Sequence, residues 1–189
     1  NMWNAVEEAV DNETVLEGGV TVANKGGEGD HVKGVGVLSR RLGLPVYATE
    51  GTWEGMDSAV GELAPQNRIV IRAGESFFLN DLEIAPFSIP HDAADPVGYR
   101  IFARDHSVAV ATDLGYFSQE VRDAVTGADL VLLESNHDPD LLRPNPHYPQ
   151  RLKTRILGKK GHLSNQSGAE AAVHLAESGT RPLLLGHLS

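Results

Sequence analysis

At 189 residues and 41% hydrophobic content, the chain holds enough apolar material for one sizeable core, and one domain over residues 1–189 is the expectation. No apolar run approaches the roughly eighteen residues of a membrane span, and no basic region followed by an apolar stretch opens the sequence, so a soluble, cytoplasmic protein without a secretory signal is expected. The absence of Cys excludes disulfides and thiolate zinc sites, leaving eight His with Asp and Glu for any metal, and the net charge of -10 argues against coating nucleic acid by bulk electrostatics.

Residues 1–25 carry no recognisable chemistry, although Val15 to Val22 can form a hairpin. Val32 to Leu42 reads as a helix with small and apolar residues on one face, followed by a short strand at Pro45 to Ala48. Thr49 or Thr52 can cap a second helix through about Leu63, which Pro65-Gln66-Asn67 breaks before a strand at Ile69 to Arg72. Strands then follow densely at Ser76–Leu79, Leu82–Ser88, Gly98–Arg104 and Ser107–Thr112, divided by Asn80-Asp81 and Asp105-His106, which predicts an antiparallel meander. Ser118 caps a helix to Thr126, and Ala128 to Glu134 reads as a buried strand. The proline-broken stretch from Asp138 to His147 reads as a loop, and Tyr148 to Leu157 as a basic helix. Ser164 caps a final helix through Glu177, with Ala169, Ala172, Val173 and Ala176 as its apolar stripe, before a last buried strand at Leu183-Leu184-Leu185. Strands flanked by helices on both sides suggest helices covering the outer faces of two packed sheets.

Charge is unevenly spread. No acidic residue lies between Asp140 and Glu170, whereas Arg143, Arg151, Lys153, Arg155, Lys159 and Lys160 all fall there. Such a patch on an acidic body reads either as a solvated surface or as a grip for phosphates.

Four polar elements sit at the edges of apolar or helical runs: Gly29-Asp30-His31 before the first helix, Pro90-His91-Asp92, Thr112-Asp113, and Gly186-His187 after the last strand. Two or three imidazoles gathered with one or two carboxylates suit zinc or manganese. Taken singly, each is more commonly a solvated or hydrogen-bonding residue.

In this order the elements resemble the metallo-β-lactamase superfamily. Gly29-Asp30-His31-Val32-Lys33-Gly34, Gly36-Val37-Leu38 and Pro45-Val46-Tyr47-Ala48 look like its YycJ-type branch of phosphodiesterases, and the resemblance covers about Glu28 to Ser189. It implies an α+β, four-layer αββα sandwich, incomplete at both ends of this sequence, with one or two Zn2+ or Mn2+ ions. That family's His-x-His-x-Asp-His signature is matched in its last two positions by Asp30 and His31, and its later His, bridging Asp and final His by His91, Asp113 and His187. Gly26 and Glu28 stand where its first two His would be. By resemblance, one metal site therefore keeps only His91 and Asp113, and the other keeps Asp30, His31, Asp113 and His187.

Leu132-Leu133-Glu134-Ser135-Asn136-His137 and Lys160-Gly161-His162-Leu163-Ser164 are similar to paired segments of related nucleases, in which a Glu orients a His near the leaving oxygen. Glu134 and His162 take those catalytic roles, and Asp30 orients the nucleophile. A departing alkoxide needs a proton, which a carboxylate-steered imidazole supplies near neutral pH. The bland reading gives Glu134 a backbone-capping role and places His162 in a helix-entry loop, while His137 and His147 read as loop residues that can contact phosphate. The function implied is metal-dependent cleavage of phosphodiesters in nucleic acid, gripped by the basic patch. Hydrolysis of a small ester, thioester or lactone, or binding without catalysis, are the alternatives.

Overall fold

The computed structural model describes residues 29–188, with side chains from residue 34 onward except that of Asp57. The hairpin expected at Val15–Val22, together with Gly26 and Glu28, lies outside the described residues.

Helix α1 (Gly29–Leu42) carries Arg40 and Arg41 in its last turn, where cations complement the helix dipole, and stops at Gly43 with φ +67°. Strand β1 (Val46–Thr49) leads into α2 (Glu50–Val60), which ends three residues before the expected Leu63 because Gly61 adopts φ +72°. A short 3-10 turn at Pro65–Asn67 delivers β2 (Arg68–Ile71), which pairs with β1 in parallel from Val46↔Arg68 to Thr49↔Ile71. Val46, Ala48, Trp53, Met56 and Val60 are buried together between this small sheet and its helices.

A larger mixed sheet follows in the order β3 (Phe77–Leu79), β4 (Leu82–Ser88), β5 (Val97–Ala103), β6 (His106–Ala111), β7 (Leu130–Glu134) and β8 (Leu183–Gly186). The expected meander is its antiparallel part, β3 to β6, with Asn80 and Arg104 at φ +53° in the tight turns. From β6 onward the strands are parallel, since helices α3 (Gln119–Val125) and α6 (Asn165–Glu177) intervene. Ser118 and Ser164 cap these helices as expected, accepting from the Val121 and Ser167 amides. Their apolar faces and the sheet enclose a second core that includes Val121, Val125, Val131, Leu133, Leu163 and Leu175.

Three local expectations need correction. The buried stripe of α6 is Gly168, Ala171 and Leu175, with Val173 58% exposed, because the helix approaches β7 so closely at Gly168 that a Cβ would lie 2.8 Å from the Glu134 carbonyl oxygen. Strand β8 is not buried: it pairs only with β7 among the described residues, and Leu184 and Leu185 are half exposed. The 138–147 stretch contains a short helix, α4 (Pro139–Leu142), because Asp138 caps it and Pro139 sits in the first turn, where a missing N–H costs nothing. Helix α5 (Gln150–Ile156) follows within the expected basic helix.

The two sheets meet where Tyr47 stacks on Phe77 at 4.9 Å and where the Thr49 hydroxyl donates to the Asp95 carbonyl. Helix α2 packs on the small sheet, and α3 and α6 pack on the large one, an α+β arrangement. Strand β4, antiparallel to β5, runs in the same direction as β6, β7 and β8. Their C-terminal ends therefore share one edge, where His91, Asp113, Glu134 and His187 emerge. Among the described residues no helix is long and apolar enough to cross a membrane.

Candidate metal centre

Glu134 closes β7 and is fully buried. Its Oε1 faces two imidazoles at once, His162 Nδ1 at 2.8 Å and His187 Nδ1 at 2.6 Å, while Oε2 accepts from the Leu114 and Leu163 amides. Burial pushes the carboxyl upward, but hydrogen bonds from His162, His187 and the Leu163 amide, with the charge of His162, outweigh it and hold it at about 2. One side chain thus contacts the His162 ring and also satisfies two backbone amides. Because Oε1 can only accept, each ring presents its Nδ1–H to Glu134, and in the neutral ring the lone pair falls on Nε2.

Asp113 and His187 occupy the left-handed backbone region at φ +58° and +57°. For residues other than glycine that conformation costs about 1–3 kcal/mol and persists only where surroundings impose it. At Asp113 the adjoining chain is fixed by the Leu114 amide on Glu134 and the Gly115 amide on the Pro90 carbonyl at 2.8 Å. At His187 the buried Asn136 donates from Nδ2 to the carbonyl at 2.8 Å. Asn136 was missed in the sequence because its target lies 51 residues away, and no local pattern marks it.

Asp113, Glu134, His162 and His187 place one donor atom each within 4.8 Å of one another. Asp113 Oδ1 lies 3.6 Å from His162 Nδ1 and 3.5 Å from His187 Nδ1, is buried, and has no hydrogen-bond partner among the described residues. An orphaned buried carboxylate oxygen among two imidazoles and a second carboxylate fits a divalent cation, which would neutralise the paired negative charges. Of the expected metal ligands, Asp113 and His187 belong to this group. His91 does not: its ring lies 5.2 Å from that of His162, with Nδ1 donating to the Gly161 carbonyl at 3.0 Å and Nε2 3.4 Å from Asp92 Oδ1. Asp30 and His31 sit at the start of α1, and their side chains lie outside the described residues.

His137, expected in a loop, is buried in a bridge to Ser164, and burial together with the charge of His162 pushes its imidazole pKa down. The basic patch also divides. Arg143, Arg151, Lys159 and Lys160 are exposed, but Lys153 is buried with Nζ on the Arg143 carbonyl at 2.7 Å. Arg155 is turned onto Asp92 through both Nε, at 2.6 Å, and a terminal nitrogen, at 3.1 Å. Lys153 thus serves an internal contact, and Arg155 is engaged in an ion pair with Asp92.

The sequence pattern of the Beta-lactamase superfamily domain matches residues 17–188. The chain belongs to the β-lactamase superfamily. Within it, exodeoxyribonuclease WalJ of Streptococcus pneumoniae serotype 2 is 40% identical over 162 residues, covering 85% of this chain and 60% of its own length. Exodeoxyribonuclease YycJ of Bacillus anthracis is 37% identical over 160 residues, with the same coverage. The chain therefore spans about 60% of the length of the curated relatives it matches. Zn(2+)-bound PqqB from Methylobacterium extorquens superposes with a TM-score of 0.61 at 21% identity, over 80% of this chain and 57% of PqqB. The metallo-β-lactamase-fold protein YhfI from Bacillus subtilis gives 0.60 at 18%, over 84% and 60%. At these identities the superpositions establish the superfamily's fold.

Proposed function

We propose that the chain is the catalytic part of a metal-dependent phosphodiesterase that degrades DNA. The observation that carries this reading is the Asp113–Glu134–His162–His187 group, with both carboxylates buried, in a chain 40% identical to a relative named exodeoxyribonuclease. Asp113 and His187, with Asp30 and His31 assigned by resemblance, would hold a Zn2+ or Mn2+ ion, with His91 beside it. When bound, that ion supplies Lewis acidity toward a phosphate oxygen and lowers the pKa of water.

The chain's own residues do the rest. Asp30 orients the attacking water, whose oxygen bonds to phosphorus as the bond to the leaving oxygen breaks. Glu134 fixes the His162 ring through Nδ1, so the proton for the departing alkoxide comes from Nε2 of the protonated ring. The exposed Arg143, Arg151, Lys159 and Lys160 engage flanking phosphates, whose contacts give position without sequence preference.

Incubating the chain with linear DNA and Mn2+ or Zn2+, beside a thioester substrate, tests the reading. Metal-dependent release of nucleotides, lost with chelator and in Asp113→Asn, is the expected result, and thioester hydrolysis alone overturns it. Gly26 and Glu28 favour a second reading, binding without catalysis, which predicts less than about half an equivalent of metal in protein purified without chelator.

A further inference from the structure

We propose that Arg155 is a positioning residue that acts on His91 through Asp92, and not one of the side chains that grip phosphate. The proposal rests on the metal-dependent reading above in taking His91 as a neighbour of the cation.

The Arg155 guanidinium forks onto both oxygens of Asp92, at 2.6 and 3.1 Å, with the two side chains about one-third exposed at 32% and 30%. The oxygen on the longer arm of this fork, Asp92 Oδ1, is also 3.4 Å from His91 Nε2. On the other side of the ring, Nδ1 donates to the Gly161 carbonyl at 3.0 Å. His91 therefore donates from Nδ1 to a backbone carbonyl and turns Nε2 toward the carboxylate that Arg155 anchors.

The last turn of α5 completes the arrangement. A Cβ at Gly161 would collide with the Arg155 and Ile156 carbonyls, so only glycine lets this backbone pass under the helix and present its carbonyl to His91. One residue later, the His162 amide donates to the Ile156 carbonyl at 3.0 Å. A single helical turn thus braces His91 through the Arg155 side chain and His162 through the backbone. A guanidinium committed to two carboxylate bonds must give them up to bind a phosphate, and Asp92 would then lose the fork that fixes its Oδ1 beside His91. Lysine in its place keeps the charge but loses the fork.

The test measures two quantities on the full chain: Co2+ affinity, from the visible absorption of the bound ion, and the salt dependence of binding to a labelled DNA oligonucleotide. The variants are Arg155→Ala, Arg155→Lys, Asp92→Asn, the double variant Arg155→Ala with Asp92→Asn, and Arg151→Ala as a phosphate-contact reference. Supporting residues around a metal typically contribute about 10–100-fold in affinity, so Arg155→Ala is expected to weaken Co2+ by about 10-fold or more, with Arg155→Lys intermediate. The salt slope stays at its wild-type value in Arg155→Ala but falls by about one in Arg151→Ala. With Asp92→Asn already present, Arg155→Ala adds nothing further to the Co2+ effect.

A lowered salt slope with unchanged Co2+ affinity in Arg155→Ala overturns the proposal, as do additive effects in the double variant. Should Arg155→Ala not fold, Arg155→Lys alone and combined with Asp92→Asn carries the same comparison. A wild-type chain that binds neither Co2+ nor DNA overturns the phosphodiesterase reading and this proposal together. A wild type that binds both, with Arg155→Ala and Arg155→Lys unchanged in Co2+ affinity, overturns the positioning role alone.

Discussion

Two carboxylates at this edge each lie against histidine, in opposite settings. Glu134 is fully buried, and its charge is balanced by two imidazoles and two backbone amides. Asp92 is 30% exposed, and its charge is balanced by the fork of Arg155. In the dry setting every hydrogen bond counts strongly because water offers no replacement, which is how Glu134 stays ionised despite burial. In the wetter setting solvent screens the ion pair, so the Arg155–Asp92 contact adds little to stability and its value lies in orientation.

The largest expected effect comes from Glu134. Its replacement by Ala strands two imidazoles and two amides, and urea denaturation should report a loss of about 3–5 kcal/mol; a loss below about 1 kcal/mol would erase the contrast with Asp92. A related prediction concerns acid. In chelator-treated protein the folded carboxyl of Glu134 is depressed from 4.5 to about 2. Its contribution, roughly 3 kcal/mol, is complete above the unfolded value and lost as pH falls toward about 2. Denaturation midpoints that decline equally in wild type and Glu134→Gln over that window would refute it.

Smaller effects sharpen the same comparison. Asn136→Ala removes the Nδ2 donor to the His187 carbonyl, at a cost of about 1–3 kcal/mol, and is expected to weaken Co2+ by about 10-fold. Lost stability with wild-type Co2+ affinity would confine Asn136 to the fold. Arg151→Ala should change stability by less than about 0.5 kcal/mol while reducing the salt slope of DNA binding by about one. An unchanged slope would remove Arg151 from the phosphate contacts.

Much of the fold was legible. The caps at Ser118 and Ser164, the four meander strands and the polar residues just past strand ends all declare themselves within a few positions of sequence. The resemblance also singled out Glu134 and His162, and their side chains meet at 2.8 Å. What escaped was orientation. Val173 looked like core and faces outward, whereas Lys153 looked like surface and is buried, because helical periodicity tells which residues share a face but not which face a neighbour covers.

The residues alone determined the chemistry on offer: no thiols, eight imidazoles, carboxylates at strand ends and a run of cations free of acidic neighbours. Tertiary structure alone decided that one carboxylate serves both His162 and His187, across 28 and 53 residues, and that Arg155 reaches Asp92 across 63. Local signals act through backbone preferences that fade over a turn or two, whereas these pairings arise only when parallel strands bring their ends to one edge.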